Sequence, residues 1–193
     1  MRKESRRRGR SIILVGFSGS GKSTLGELLA TRLRIPFVDL DTEIVRREGT
    51  SIADIFLQKG EPYFRRVEST LLVESASRMT SRFVLALGGG AFQSERNRQF
   101  SKRMGIVVYL RCSMRELYRR VSKTTDRPLL TAILRPEVTS RMERLARIKR
   151  LVAVREPTYR RADITVSTSR GTMKEIVASI HGKIDEYYAK HDD

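Results

Sequence analysis

"SIILVGFSGSGKSTLGELLATRL", residues 11–33, joins three local signals in a fixed order. "SIILV" is an apolar run of strand length, and "LGELLATRL" repeats its leucines at helical spacing. Between them "GFSGSGKST" (16–24) fits G-x-x-x-x-G-K-[ST] with Gly16, Gly21, Lys22 and Ser23. Strand, glycine loop and helix form the context this pattern needs. Glycines permit positive φ and leave no Cβ in the way, so backbone N–H groups can converge on phosphate oxygens. The helix opening at Thr24 turns its positive dipole end toward the same charge. Lys22 is then expected to reach the β/γ-phosphates, and the Ser23 hydroxyl to ligate Mg²⁺. The loop specifies a nucleoside triphosphate and leaves the acceptor open.

At 193 residues the chain suits one domain with a proper core. Its 39 Lys plus Arg against 22 Asp plus Glu leave a net charge of +17, which fits an anionic partner: a nucleotide, an acidic metabolite or nucleic acid. Charge alone does not choose among them. Part of the excess sits in "MRKESRRRGR" (1–10), which has no apolar period and reads as a solvated, mobile arm, or as a nucleic-acid or membrane tether. That run lacks the apolar region of a secretory signal, and no stretch of about 18 apolar residues is present to span a membrane. The single cysteine, Cys112, excludes an internal disulfide and a cysteine-based zinc site, and fits a reducing compartment, the cytoplasm. Its place after "GIVVYLR" suggests a half-buried structural thiol. Only His181 and His191 are available as histidine bases, both near the C-terminus.

"SIILV", "IPFVDL", "FVLALG", "GIVVYL" and "DITVST" read as strands separated by amphipathic helical segments, the alternation of a parallel sheet covered on both faces. Ligands of such sheets gather at the carboxyl ends of the strands. Three candidate elements fall there: the phosphate loop, "DLD" (39–41) and the glycines Gly88, Gly89 and Gly90. Period-2 alternation is expected to aim Asp39 and Asp41 to one side, one toward metal-bound water and one toward the acceptor; an acidic strand-end turn is the alternative. Between strands two and three, Gly49, Gly60 and Pro62 punctuate a segment with the length of two or three short helices. Arg65 and Glu68 stand three apart on a helix, either as a local ion pair or as a guanidinium fork for a substrate carboxylate, held in aim by Glu68. Arg66 points to solvent. Arg127, in "RPLL", could close on phosphates from a flap rich in Arg-Pro and polar turn residues, and Arg155, in "REPTY", could be a second fork. Each arginine singly also reads as surface charge.

Taken in order, "GFSGSGKST", "DLDTEI", "GTSIADIF", "GEPYFRRVE", "GGG", "RPLL" and "REPTYRRAD" resemble the shikimate kinase family, nucleoside-monophosphate-kinase-like P-loop enzymes, over about Ser11 to Asp163. The resemblance implies an α/β fold: three αβα layers, a five-stranded parallel sheet in order 2-3-1-4-5, a helical substrate-binding insertion (about 40–75) and a lid (about 121–140). It implies a single kinase domain over 11–185, with 186–193 as a tail. The activity implied is transfer of the ATP γ-phosphoryl to the 3-hydroxyl of shikimate, with Mg²⁺, in chorismate and aromatic amino acid biosynthesis. Carried onto this sequence, Lys22, Asp41 and Arg127 are catalytic. ATP is held by Gly19, Ser20, Gly21, Lys22, Ser23, Thr24, Arg120 and Arg127, with Arg120 at the adenine. Shikimate is held by Asp41, Arg65, Gly88, Gly89, Gly90 and Arg155, and Mg²⁺ by Ser23, with Asp39 behind its water.

Val45 stands where the family often has glutamate, and the segment from "RPLL" to "REPTY" is longer than usual. The expected partners are ATP and shikimate, with neither membrane nor nucleic acid, and the expected state is a monomer. Two other readings remain: a P-loop kinase for a gluconate- or quinate-like acid, and a nucleotide-dependent nucleic-acid-binding regulator, whose polynucleotide binding would depend steeply on salt.

Overall fold

The computed structural model describes residues 10–121 and 141–191. Five strands form one sheet: β1 (Ser11–Val15), β2 (Phe37–Asp39), β3 (Val84–Ala86), β4 (Gly105–Arg111) and β5 (Ile164–Ser167). Their spatial order is β2-β3-β1-β4-β5, and every pairing is parallel. The five apolar runs are therefore the five strands, in the expected order. All of β1 is buried, because helices cover both faces of a parallel sheet.

Alternation along the strands sorts the core into two layers. Ile13, Val15, Leu85, Val107 and Tyr109 face one side, against Ile55, Phe64 and Leu72 of α3 (Ile52–Ser77) and Ile148 and Tyr159 of α6 (Arg141–Tyr159). Ile12, Leu14, Val84, Ile106, Val108 and Leu110 face the other, against α1 (Lys22–Leu33) and α7 (Met173–His191). A Cβ at Gly26 of α1 would come within 2.5 Å of the Phe37 ring, so a glycine inside a helix, normally a cost, lets α1 settle onto β2.

Between β2 and β3 the chain forms α2 (Leu40–Glu48) and α3, matching the expectation of short helices rather than a single crossover. Gly49 caps α2 at φ 66°, and Gly60 breaks α3 at φ 77°, ψ 168°, just before Pro62. The alternation assumed for "DLD" does not hold. Asp39 ends β2 and caps α2, its Oδ1 accepting from the backbone N–H of Asp41 at 3.0 Å and of Thr42 at 3.3 Å. Leu40 is thus the first helical residue and is fully buried, while Asp41 lies in the first turn of α2. Capping, not strand pleating, sets the direction of the second carboxylate.

The remaining helices among the described residues are α4 (Glu95–Met104) and α5 (Met114–Val121), with a 3₁₀ turn at Ala91–Gln93. Cys112 is half-buried, and burial pushes its thiol pKa up, as suits a structural cysteine. Arg127 and the lid assigned to about 121–140 lie outside the described residues, apart from Val121 at the end of α5.

Candidate active site

The carboxyl edge of the sheet brings two cradles together. The first is the loop between β1 and α1. Gly19 and Gly21 hold φ of 87° and 97°, where a side chain would strain the backbone and where successive N–H groups can point to a common center. Lys22 is buried, and its Nζ donates to the carbonyls of Gly16 at 2.9 Å and Phe17 at 3.1 Å. The ammonium is thereby held within the loop's own ring. Ser23 and Thr24 are exposed on the first turn of α1.

Arg120 reaches this loop from α5. Its guanidinium faces the carbonyls of Gly19 and Ser20 at 3.4 and 3.5 Å and donates to that of Thr168 at 2.8 Å. Glu116, one turn earlier, accepts from Arg120 Nε at 2.7 Å. Hydrogen bonds from Arg119 first, then Arg120, hold the Glu116 carboxyl down to about 2. Arg120 therefore stands at the junction of the loop and the end of β5, where it can face a bound nucleotide.

The second cradle is the glycine run after β3. Gly88, Gly89 and Gly90 are buried, and each is pressed by a different group. A Cβ on Gly88 would lie 2.6 Å from Glu68 Oε1 and 2.7 Å from Asp41 Oδ1. On Gly89 it would lie 3.2 Å from the backbone nitrogen of Ser18, in the phosphate loop, and on Gly90 2.5 Å from the Arg65 guanidinium. The glycine run thus abuts the phosphate loop at its middle, two carboxylates at one end and an arginine at the other.

Arg65 Nη1 donates to Glu68 Oε2 at 2.8 Å, while Nε and Nη2 donate to Glu61 Oε1 at 3.1 and 3.0 Å. Burial alone would lower the Arg65 pKa, and its two glutamates reverse that, so the guanidinium stays charged. Glu68 is only 1% exposed. Burial, opposed by Arg65 and reinforced by Asp41, pushes its carboxyl up to about 7.

Arg155, on α6, donates to the carbonyl of Gly89 at 3.3 Å and lies 5.8 Å from the Phe17 ring center. The hydroxyl of Tyr159, one turn later, also donates to that carbonyl. Behind the run, Asn97 Nδ2 donates to the Ala91 carbonyl at 3.1 Å, and Arg98 Nη1 donates to those of Phe92 and Gln93 at 3.0 Å each. Gln93 in turn donates to the Arg155 carbonyl at 3.4 Å. These contacts tie the glycine wall to α4 and α6.

Of the residues singled out in the sequence, Asp41, Arg65, Gly88, Gly89, Gly90 and Arg155 meet in the second cradle. Gly19, Ser20, Gly21, Lys22, Ser23, Thr24 and Arg120 meet in the first. Arg66 is exposed, as expected, and Val45, at 41% exposure, stands on the solvent side of α2. Glu61, Tyr159, Gln93, Asn97 and Arg98 were not anticipated. Glu61 could have been found from its i−4 spacing to Arg65 and Tyr159 from its i+4 spacing to Arg155; Gln93 acts through a tertiary contact, and Asn97 and Arg98 reach back five or six residues, a spacing that carries no standard pattern.

The donor chemistry is compatible with Mg²⁺: Ser23 has an exposed hydroxyl, and the bonds that cap α2 use only Oδ1 of Asp39. A small hard cation that keeps several waters and is gripped mainly by phosphates needs no larger protein cage.

A family model described as shikimate kinase matches residues 18–185. A shikimate kinase from Chlorobium chlorochromatii is 43% identical over 176 residues, covering 91% of this chain and 91% of its own length. One from Chloroherpeton thalassium is 39% identical over 176 residues, covering 91% and 92%. The solved structure of shikimate kinase from Acinetobacter baumannii in complex with shikimate matches with a TM-score of 0.83 at 34% identity, covering 95% of this chain and 97% of that one.

Proposed function

This chain belongs to the shikimate kinase family, and from that premise we propose how its residues divide the work of phosphoryl transfer. The reaction moves the γ-phosphoryl of ATP to the 3-hydroxyl of shikimate, giving shikimate 3-phosphate and ADP on the route to chorismate and the aromatic amino acids. The carrying observation is that the glycine wall bearing Asp41, Arg65 and Arg155 touches the phosphate loop at Ser18. Donor and acceptor bound in the two cradles would be neighbors, which is most of what phosphoryl transfer asks of a protein.

In this reading the loop from Gly19 to Thr24 and the end of α1 bind the triphosphate, and Lys22 turns from the Gly16 and Phe17 carbonyls to the β/γ-phosphates. Ser23, and Asp39 through water, would hold Mg²⁺, which would supply charge neutralization on the phosphates. Arg65 and Arg155 grip the shikimate carboxylate, Arg65 being aimed by Glu61 and Glu68. The buried glycines let the ring lie on backbone. Asp41 accepts the proton of the 3-hydroxyl as the new O–P bond forms and the bond to the ADP oxygen breaks.

In this reading the protein works as a monomer. Segment 40–75, which contributes Asp41 and Arg65, is the acceptor-binding insertion. No helix among the described residues is long and apolar enough to cross a membrane, and the lone cysteine supports a cytoplasmic enzyme.

Coupled ADP release with MgATP and shikimate, quinate, gluconate or no acceptor tests the acceptor. Turnover should depend on shikimate and stay near background with the other three. Equal turnover with gluconate or quinate would transfer the assignment to another hydroxy acid.

A further inference from the structure

Glu68 has one oxygen whose role in aiming Arg65 is plain and another that this role does not explain. Oε2 accepts from Arg65, whereas Oε1, fully buried, has no hydrogen-bond partner among the described residues and faces the Gly88 backbone. The charged groups around it are Arg65 on its own helix, Asp41 from α2 and Arg155 from α6; the β3 side presents only the uncharged Gly88 backbone. Arg65 divides its donors between Glu68 and Glu61. A buried carboxylate with a second carboxylate beside it, hydrogen-bonded among the described residues only to one shared arginine, is poorly supported as an anion.

An acceptor carboxylate gripped by Arg65 adds another negative charge to the group and competes for the guanidinium on which ionized Glu68 depends. We propose that Glu68 takes up a proton when the acceptor's carboxylate binds Arg65, making it a positioning residue through which shikimate binding is coupled to pH. This rests on the assignment of Arg65 as the carboxylate fork. Burial foremost, with Asp41, already lifts Glu68 to about 7 in the free protein. An added anion moves that value further upward, so part of the population must gain a proton near and above neutrality. The linkage sign follows: binding that takes up a proton strengthens as pH falls and weakens as pH rises through the titration of Glu68.

Titration calorimetry of shikimate into the full chain at pH 7.5, in phosphate and in Tris, reads the proton count from the difference in buffer ionization heat. The expected result is uptake of roughly half a proton per site, with affinity falling by about threefold per pH unit there, the slope half a proton sets, and levelling off once Glu68 is ionized in both free and bound states. The methyl ester of shikimate, which lacks the anion, should bind more weakly and take up none. Glu68→Gln should bind shikimate with no uptake and give an acceptor KM independent of pH between 6.5 and 8.5. Shikimate binding by the wild-type chain without proton exchange over that range would overturn the coupling alone. Equal uptake in Glu68→Gln would overturn the choice of Glu68, and no shikimate binding at all would overturn the acceptor assignment with it. The wild-type chain and the ester are enough to decide the coupling, so a poorly folded variant would not leave it open.

Discussion

Asp41→Asn is expected to lower kcat by about 10²- to 10⁴-fold, the range for loss of a positioned general base, while MgATP affinity changes little. Asp41 sits in the first turn of α2, fixed by the Asp39 cap beneath it and facing Gly88, so the isosteric amide keeps the shape. It loses the negative charge, and with it the capacity to accept the hydroxyl proton. The phosphate loop lies on a different element and should bind nucleotide unchanged. Stopped-flow nucleotide binding beside steady-state turnover separates the two. Turnover within a few-fold of wild type would assign the base elsewhere.

Arg65→Lys is expected to raise the acceptor KM by about 10- to 100-fold, the factor for roughly 1.5–3 kcal/mol lost with a charged hydrogen bond, and to leave kcat within a few-fold. A lysine retains the charge but cannot serve Glu61, Glu68 and a substrate carboxylate with one rigid fork. Arg65→Ala should also destabilize the fold, since breaking a buried pair by removing one partner costs about 3–5 kcal/mol. Glu68 can evade part of that cost by taking a proton. Its folded pKa is raised, so the alanine variant should be closest to wild-type stability on the acid side and lose ground as pH rises through neutrality. A melting-temperature difference that shrinks with rising pH would contradict the assigned pairing.

Much of the fold was legible because a parallel sheet buried on both faces writes its strands as uninterrupted apolar runs. The five runs needed changes only at their ends: "IPFVDL" shortens to Phe37–Asp39 because a proline precedes the strand and a capping aspartate ends it. That same cap defeated the period-2 reading of "DLD", since an aspartate before a helix-forming segment finds backbone donors within three residues. The Arg65–Glu68 pair was legible from its spacing. The approach of Glu68 to Asp41 was not, because it depends on how α2 and α3 pack around Gly88, and a single sequence carries no trace of that contact. The clamp of Asn97 and Arg98 on the turn after Gly90 spans only five or six residues, but that spacing matches no standard motif, and buried arginine in a chain with 39 basic residues gives no sign of being structural.

The placement of the 3-hydroxyl beside Asp41 and the γ-phosphoryl is tested most directly by the position of the phosphate in the product. Phosphorus–proton correlation spectroscopy of a completed reaction with MgATP and shikimate should show a single monoester coupled to the proton on C3, in amount equal to the ADP formed. Phosphate on another ring oxygen, or ADP matched by inorganic phosphate with shikimate unchanged, would contradict that placement.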